Sequence, residues 1–385
     1  MRIADLKVTL VSVPLREPET WIWGRRFGIT NAIVEVTTDE GVTGLGECPG
    51  HPSVELVRQV LDLARDVVVG ESPLSIEHVL HLLLARRGLH HFRHAANVAL
   101  GGLETALWDI VGKVAGQPLA SLFGGPVRDQ IPYYSYIPMG PSERMAAQAA
   151  AAVAEGFGTI YLKSGFEREK DVADVAAVRE AIGPGPKLRI DSNEAWSPAE
   201  AIVIINELEP YELEFVEQPV SMYDLDGLAR VRRAVRTPVA ANQAAWLEFN
   251  VLDIIRKRAA DVVLTCPHQL HGLSAFKKVA ALLETAGLPI VKHSFGDFGI
   301  TTYAAAHVLA TCPNATLANQ THYSLLDDDV IAGGPPVFED GALTLPDGPG
   351  IGVELDREKL ALYEEVYLRE GEFTVYGLVA ERRVS

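Results

Sequence analysis

The sequence predicts an α/β protein: a (β/α)8-type barrel preceded by a smaller α+β domain. Two observations carry that prediction. Short apolar runs recur through the second half of the chain, each ending in a polar residue: Lys163, Asp191, Glu217, Asn242, Cys266 and His293. The steps between these residues are 28, 26, 25, 24 and 27, and so even a period, with helix-like sequence inside each unit, reads as successive βα units. The chain also has 385 residues, too many for one compact core of typical size and suited to two domains.

Taken in order, Ile3 to Val13 and Asn31 to Val36 alternate apolar and polar residues, with a turn at Asp39-Glu40-Gly41, as strands do. Between them Trp21 to Arg26 is aromatic, basic and turn-like, readable as a surface loop with buried tryptophans or as a lid over the barrel mouth. Val54 to Val69, Leu74 to Ala85 and Ala96 to Ala115 carry apolar residues at helical spacing, and Gly124-Gly125-Pro126 stops the last of them. His90, His91 and His94 cluster at a helix start with no other ligand type nearby, which favours solvation over metal binding. Ile131 to Ile137 reads as the first barrel strand and Ser142 to Glu155 as the helix after it. Helices at Asp171 to Ile182 and Gly272 to Ala286 separate later strands, and an eighth run, Ala315 to Ala318, ends at Asn319-Gln320-Thr321-His322. The domains expected are residues 1–125, a barrel over 126–350, and a segment over 351–385 that returns to the first domain.

Hydrophobic content of 48% and charged content of 22% are those of a soluble globular chain. A net charge of −17 argues against a nucleic-acid partner, which needs a basic surface. It leaves an anionic small molecule open, because one bound cation dominates the local field. Neither a signal peptide nor a membrane-spanning run is apparent, and Cys48, Cys266 and Cys312 show no metal or disulfide spacing, so the expected compartment is the cytoplasm.

Strand ends in such a barrel converge on one face, where active sites of this architecture lie. Asp191, Glu217 and Asn242 place three oxygen donors on three consecutive strand ends, the ligand chemistry of a hard cation such as Mg2+. The plain alternative is that the acids cap the following helices. Lys163 and His293 flank the trio on the second and seventh strands. A carboxylate substrate chelated to Mg2+ would present its α-proton to one of them, a base-plus-Mg2+ arrangement.

Several of these motifs resemble one family. Ala106-Leu107-Trp108-Asp109 before Gly124-Gly125, Asp191-Ser192-Asn193 and Glu217-Gln218-Pro219 are together similar to the enolase superfamily, in its mandelate racemase/muconate lactonizing enzyme branch. Pro238 to Asn242, Cys266-Pro267-His268 and Lys292-His293-Ser294, with Thr321-His322-Tyr323 further on, look closest to the glucarate dehydratase group. The resemblance covers essentially the whole chain. It implies a modified TIM barrel with an N-terminal α+β capping domain, Mg2+ as cofactor and a homo-oligomer. Residue by residue it makes Asp191, Glu217 and Asn242 the metal ligands, with Gln243 the alternative third. It makes Lys163 the base, His293 an acid or base, and Asn193 a substrate contact. Asn319 and His322 fall at the end of the eighth run. Trp23 and Arg25 in the cap loop are further candidates, a guanidinium being able to grip a distal carboxylate with two hydrogen bonds.

The sequence departs from the family pattern at three places. Tyr161 stands where many relatives have a second lysine, so the like charge that would lower the pKa of Lys163 is missing, and Tyr161 is placed instead to hydrogen-bond either the lysine or the substrate. Cys266 replaces the aspartate that partners the seventh-strand histidine; it reads first as a small buried packing residue and second as a nucleophile. The metal set is less acidic than usual. The leading expectation is a lyase that removes water from an acid sugar or related hydroxy acid. An epimerase, racemase or cycloisomerase is the alternative, and a barrel that binds a carboxylate without turnover is the second.

Overall fold

The computed structural model describes residues 1–376. The N-terminal domain begins with an antiparallel meander, β1 (Ile3–Trp21), β2 (Gly24–Thr38) and β3 (Thr43–Pro49). Three helices follow: α1 (Val54–Val68), α2 (Ile76–Arg86) and α3 (Arg93–Ala115). Helix α1 buries Val54, Val57, Val60, Leu61, Ala64, Val67 and Val68, the stripe that a 3.6-residue period produces, and this face packs on the sheet. Gly46 and Gly102 let β3 and α3 touch: a Cβ on Gly46 would sit 2.0 Å from the Gly102 carbonyl oxygen. The stretch from Trp21 to Arg26 is the tight connection of a long hairpin and not a separate loop, with Trp21 paired to Gly24.

The second domain is an α/β modified barrel. Strands β4 (Gln130–Pro132), β5 (Ser135–Ile137), β6 (Thr159–Lys163), β7 (Lys187–Asp191), β8 (Phe215–Glu217), β9 (Val239–Ala241), β10 (Val262–Thr265) and β11 (Ile290–Lys292) follow in order. Among the described residues, β5 to β11 form one parallel sheet in sequence order. Apart from the exposed Lys187 at the start of β7, the strands of this sheet are short buried runs, which is why they carry no alternation in sequence.

Two expectations need correction. The single strand over Ile131–Ile137 is two elements, because Pro132 offers no N–H to continue a ladder. β4 pairs instead with β12 (Ala342–Thr344), antiparallel. The eighth run, 315–318, is not a strand; the barrel closes just beyond it through Asn319 and Gln320. Asn319 N donates to the Pro132 carbonyl (2.8 Å), Tyr134 N to the Asn319 carbonyl (3.0 Å), and Gln320 N to the Lys292 carbonyl (2.9 Å). The Asn319 side chain completes the seam by accepting from Lys292 N (2.7 Å).

The chain then returns to the first domain. The helix Arg357–Glu370 packs on β1, Arg357 pairs with Glu35 at 2.6 Å, and β13 (Thr374–Tyr376) adds to β2. Helix α3 joins the two domains from within. Asp109 accepts from Leu45 N (2.9 Å) and Ile351 N (2.8 Å), while Glu104 accepts from Leu273 N (2.7 Å) and Ser274 N (3.0 Å) at the start of a barrel helix. No helix among the described residues is long and apolar enough to cross a membrane.

Candidate active site

Register brings the polar strand ends side by side: Lys163 pairs with Asp191, and Asp191 with Glu217, across β6, β7 and β8. Asn242 and Gln243 follow directly on β9. Tyr161 and Lys163, two apart on β6, face the same side. Lys163 Nζ donates to Asp191 Oδ2 at 2.6 Å and to Asn193 Oδ1 at 3.0 Å, and the Tyr161 hydroxyl donates to the same Asp191 oxygen at 2.7 Å. The ammonium also lies over the rings of Tyr136 and Tyr161.

Glu217 is different. It is fully buried, and neither carboxylate oxygen has a hydrogen-bond partner. Burial, then the charge of Asp191 beside it, pushes its carboxyl well above the usual range. Buried carboxylate oxygens are ordinarily bonded, so Glu217 next to Asp191 has the chemistry of a cation site. The amide oxygen of Gln243 is likewise buried without a partner, whereas Asn242 Nδ2 reaches the Leu264 carbonyl at 3.4 Å. The donor set is therefore two carboxylates with neutral amides; no cluster of three or more His, Cys, Asp or Glu forms a metal site among the described residues.

A cavity of about 470 Å3 opens over these strand ends. Lys163, Asn193, Asn242, Gln243, His293 and His322 line it, together with Trp21 and Trp23 of the hairpin. Trp23 Nε1 donates to the Asn193 carbonyl at 2.7 Å, so the first domain reaches over the barrel mouth as a lid. The backbone at the strand ends is strained: Asn193, Glu194 and Gln218 have φ of 45°, 69° and 37°, values expensive for residues with a Cβ. Gln218 uses its strained position to build the turn of β9, its side-chain oxygen accepting from Asn242 N (2.9 Å) and Ala244 N (3.1 Å).

His293 presents its ring to the cavity edge-on to Phe295, and its Nδ1 has no partner. Burial, then the charge of Lys163, lowers its pKa well below the usual histidine range. No carboxylate opposes this, because Cys266 holds the place of the expected aspartate. Four strands separate β6 from β11 in the sheet, so Lys163 and His293 approach the cavity from opposite sides.

Three expected site residues lie elsewhere. Arg25 points outward, exposed beside Phe27; strand alternation turns the next residue, Arg26, into the cavity. Arg26 pairs with buried Glu19 and donates to the Phe295 carbonyl at 2.6 Å. Asn319 is absorbed in the barrel seam and does not line the cavity. Cys266 is buried outside the cavity lining, and burial, then the charge of Asp297, pushes its thiol up to about 12, so the nucleophile reading has no geometric support. Sequence reading missed Glu19, His51, Trp246, Gln269, Ser294, Phe295 and Gln320, which also line the cavity. The Asn319-Gln320-Thr321-His322 and Lys292-His293-Ser294 motifs were the available signals for Gln320 and Ser294; the others come from the hairpin and from turns with no periodic mark. Burial opposes ionisation of Glu19, but the charge of Arg26, aided by His322 and Tyr136, holds its carboxyl below the usual range.

Known proteins share this two-domain architecture. Residues 3–124 match the mandelate racemase/muconate lactonizing enzyme N-terminal domain, and residues 144–359 match the enolase C-terminal domain-like family. The chain is similar to a hydrophobic dipeptide epimerase from Enterococcus faecalis, 32% identical over 92% of this chain and 99% of the relative. It is similar to a probable glucarate dehydratase from Streptomyces coelicolor, 32% identical over 87% and 85%. A solved enolase from Thermobispora bispora, complexed with magnesium and formate, superposes with a TM-score of 0.89 at 32% identity, covering 100% of this chain and 97% of that one. The sequence motifs, the two-domain architecture and these matches agree, and the chain belongs to the enolase superfamily, in its mandelate racemase/muconate lactonizing enzyme branch.

Proposed function

We propose that the protein is a Mg2+-dependent lyase that removes water from a hydroxy acid, after loss of the proton α to the carboxylate. The observation that carries the reading is Glu217, a buried carboxylate with both oxygens unpaired, in register with Asp191 and beside Lys163. Asp191, Glu217 and one amide oxygen of Asn242 or Gln243 would hold the ion. Bound there, Mg2+ supplies positive charge against the negative charge that develops on the substrate carboxylate.

The protein's own groups do the rest. The His293 imidazole is neutral and its Nδ1 is unspent, so it accepts the α-proton. The Lys163 ammonium, aimed by Asp191 and Asn193, gives a proton to the departing β-hydroxyl, and water leaves. These roles exchange those implied by the family resemblance, which makes Lys163 the base. Asn193, Gln320 and His322 provide amide and imidazole partners for substrate hydroxyls, and the Trp23 lid excludes water.

A second reading has specific support. The same two groups on opposite sides would epimerise the substrate if Lys163 protonated the α-carbon from the other face, and the Enterococcus relative is an epimerase. Incubating acid sugars, hydroxy acids and dipeptides in D2O with Mg2+, followed by mass spectrometry, separates the two. Loss of water, abolished by chelator and by Lys163→Ala, is the expected result. Deuterium gain without water loss would move the assignment to epimerisation, and deuterium exchange that persists in His293→Asn would return the base to Lys163. Turnover undiminished by chelator would sink the metal-dependent reading.

A further inference from the structure

The cavity lining includes a buried amide that takes no part in the proton transfers or the cation site proposed above. Gln269 is 1% exposed and lines the cavity, yet neither its amide nitrogen nor its amide oxygen has a hydrogen-bond partner. Its backbone, by contrast, is clamped. The Gln269 carbonyl accepts from Asn97 Nδ2 at 2.6 Å; Asn97 in turn accepts from Arg93 Nε at 2.9 Å, and Arg93 grips Glu248 at 2.9 Å. Helix α3 of the first domain thus fixes where the turn after β10 sits.

Gln218 shows what a buried glutamine of structural purpose looks like here. Its oxygen accepts two backbone N–H groups and its nitrogen donates to the Val220 carbonyl at 2.9 Å. Gln269 is equally buried and spends nothing. A buried amide with both functions unmet by protein is unfavourable unless cavity water or a ligand meets them.

We infer that Gln269 is a specificity-determining residue that hydrogen-bonds a substrate group offering both a donor and an acceptor. Hydroxyls of a polyhydroxy acid offer that complement, and so does a peptide amide. The inference rests on the proposed function in one respect: a carboxylate substrate occupies this cavity. Hydroxyls are favoured because Asn193, Gln320 and His322 line the same space with groups of matching kind.

The test is isothermal titration with Mg2+ present, using galactarate, adipate (the same diacid chain without hydroxyls) and L-Ala-L-Glu as probes. Wild type should prefer galactarate to adipate. Gln269→Leu should lose about tenfold in galactarate affinity and little in adipate affinity, as removal of one neutral hydrogen-bonding partner implies. Unliganded Gln269→Leu should melt no lower than wild type, since an unpaired amide replaced by an apolar group of similar shape is not destabilising; Gln269→Met serves if the leucine variant does not fold. If L-Ala-L-Glu binds in place of galactarate and Gln269→Leu weakens it, the role of Gln269 stands and the hydroxy-acid reading falls. Equal loss for galactarate and adipate, no loss for any probe, a lowered melting temperature, or no binding of any probe by wild type would each overturn the inference.

Discussion

Glu47 and Glu217 are two glutamates buried without exposure, both pushed upward in pKa, and they serve opposite ends. Glu47, on β3, accepts from Asn31 Nδ2 (2.8 Å) and Phe298 N (2.6 Å) with one oxygen and from Thr301 N (2.9 Å) with the other. It holds the first turn of the helix Gly299–Ala310 against the capping sheet. Burial, then the charge of Asp297, raises its pKa to about 8. Glu217, on β8, accepts from nothing. Burial and a neighbouring carboxylate alone do not distinguish an architectural acid from a ligand-holding one; the fate of the oxygens does.

The largest expected effect is at Glu217. Glu217→Gln should lower Mg2+ affinity by about 100-fold or more, since even the residues supporting a metal ligand are worth about 10–100-fold. It should also abolish the rise in melting temperature that Mg2+ gives the wild type. If Mg2+ raised the melting temperature of both proteins equally, Glu217 would not be a ligand. Glu47→Ala should do the reverse. It strands three donors, at about 1–3 kcal/mol each, so denaturant melts should show a loss of about 3 kcal/mol or more with Mg2+ affinity retained.

A smaller effect follows from the raised pKa of Glu47. The folded protein holds this proton more tightly than the unfolded chain, so the group's contribution is greatest below the unfolded value of 4.5 and is lost as pH rises toward about 8. The slope is at most about 1.4 kcal/mol per pH unit. Glu47→Gln should flatten the fall in stability across that window, and an unchanged slope would assign the proton elsewhere.

The smallest effect applies the same criterion to two adjacent arginines. Arg25→Ala should change stability by less than about 0.5 kcal/mol and leave ligand affinity unchanged, because its side chain is exposed. Arg26→Ala leaves Glu19 without its guanidinium partner beside the cavity, and should weaken binding of every ligand found. Titration calorimetry on the two variants checks the order, and a loss confined to Arg25→Ala would reverse the assignment.

The sequence by itself determined the barrel and the order of its polar strand ends. A short apolar run closed by a polar residue and repeated at 24 to 28 residues leaves few other folds open, and parallel pairing then sets Lys163, Asp191 and Glu217 abreast. Motifs such as Trp108-Asp109 were legible as marks of the family, though their work proved architectural: Asp109 and Glu104 tie the domains together. Only the tertiary structure decided which of these polar groups face the cavity and which are consumed in packing. It moved the inward arginine from Arg25 to Arg26, because a hairpin's register fixes which face each residue takes. It spent Asn319 on a seam where backbone pairing runs out, left Cys266 outside the cavity, and brought in Gln269 from a turn that carries no period. Periodicity records where the chain is regular, whereas a hydrogen bond's second partner comes from residues far away in sequence, so satisfaction or its absence can be read only from the folded molecule.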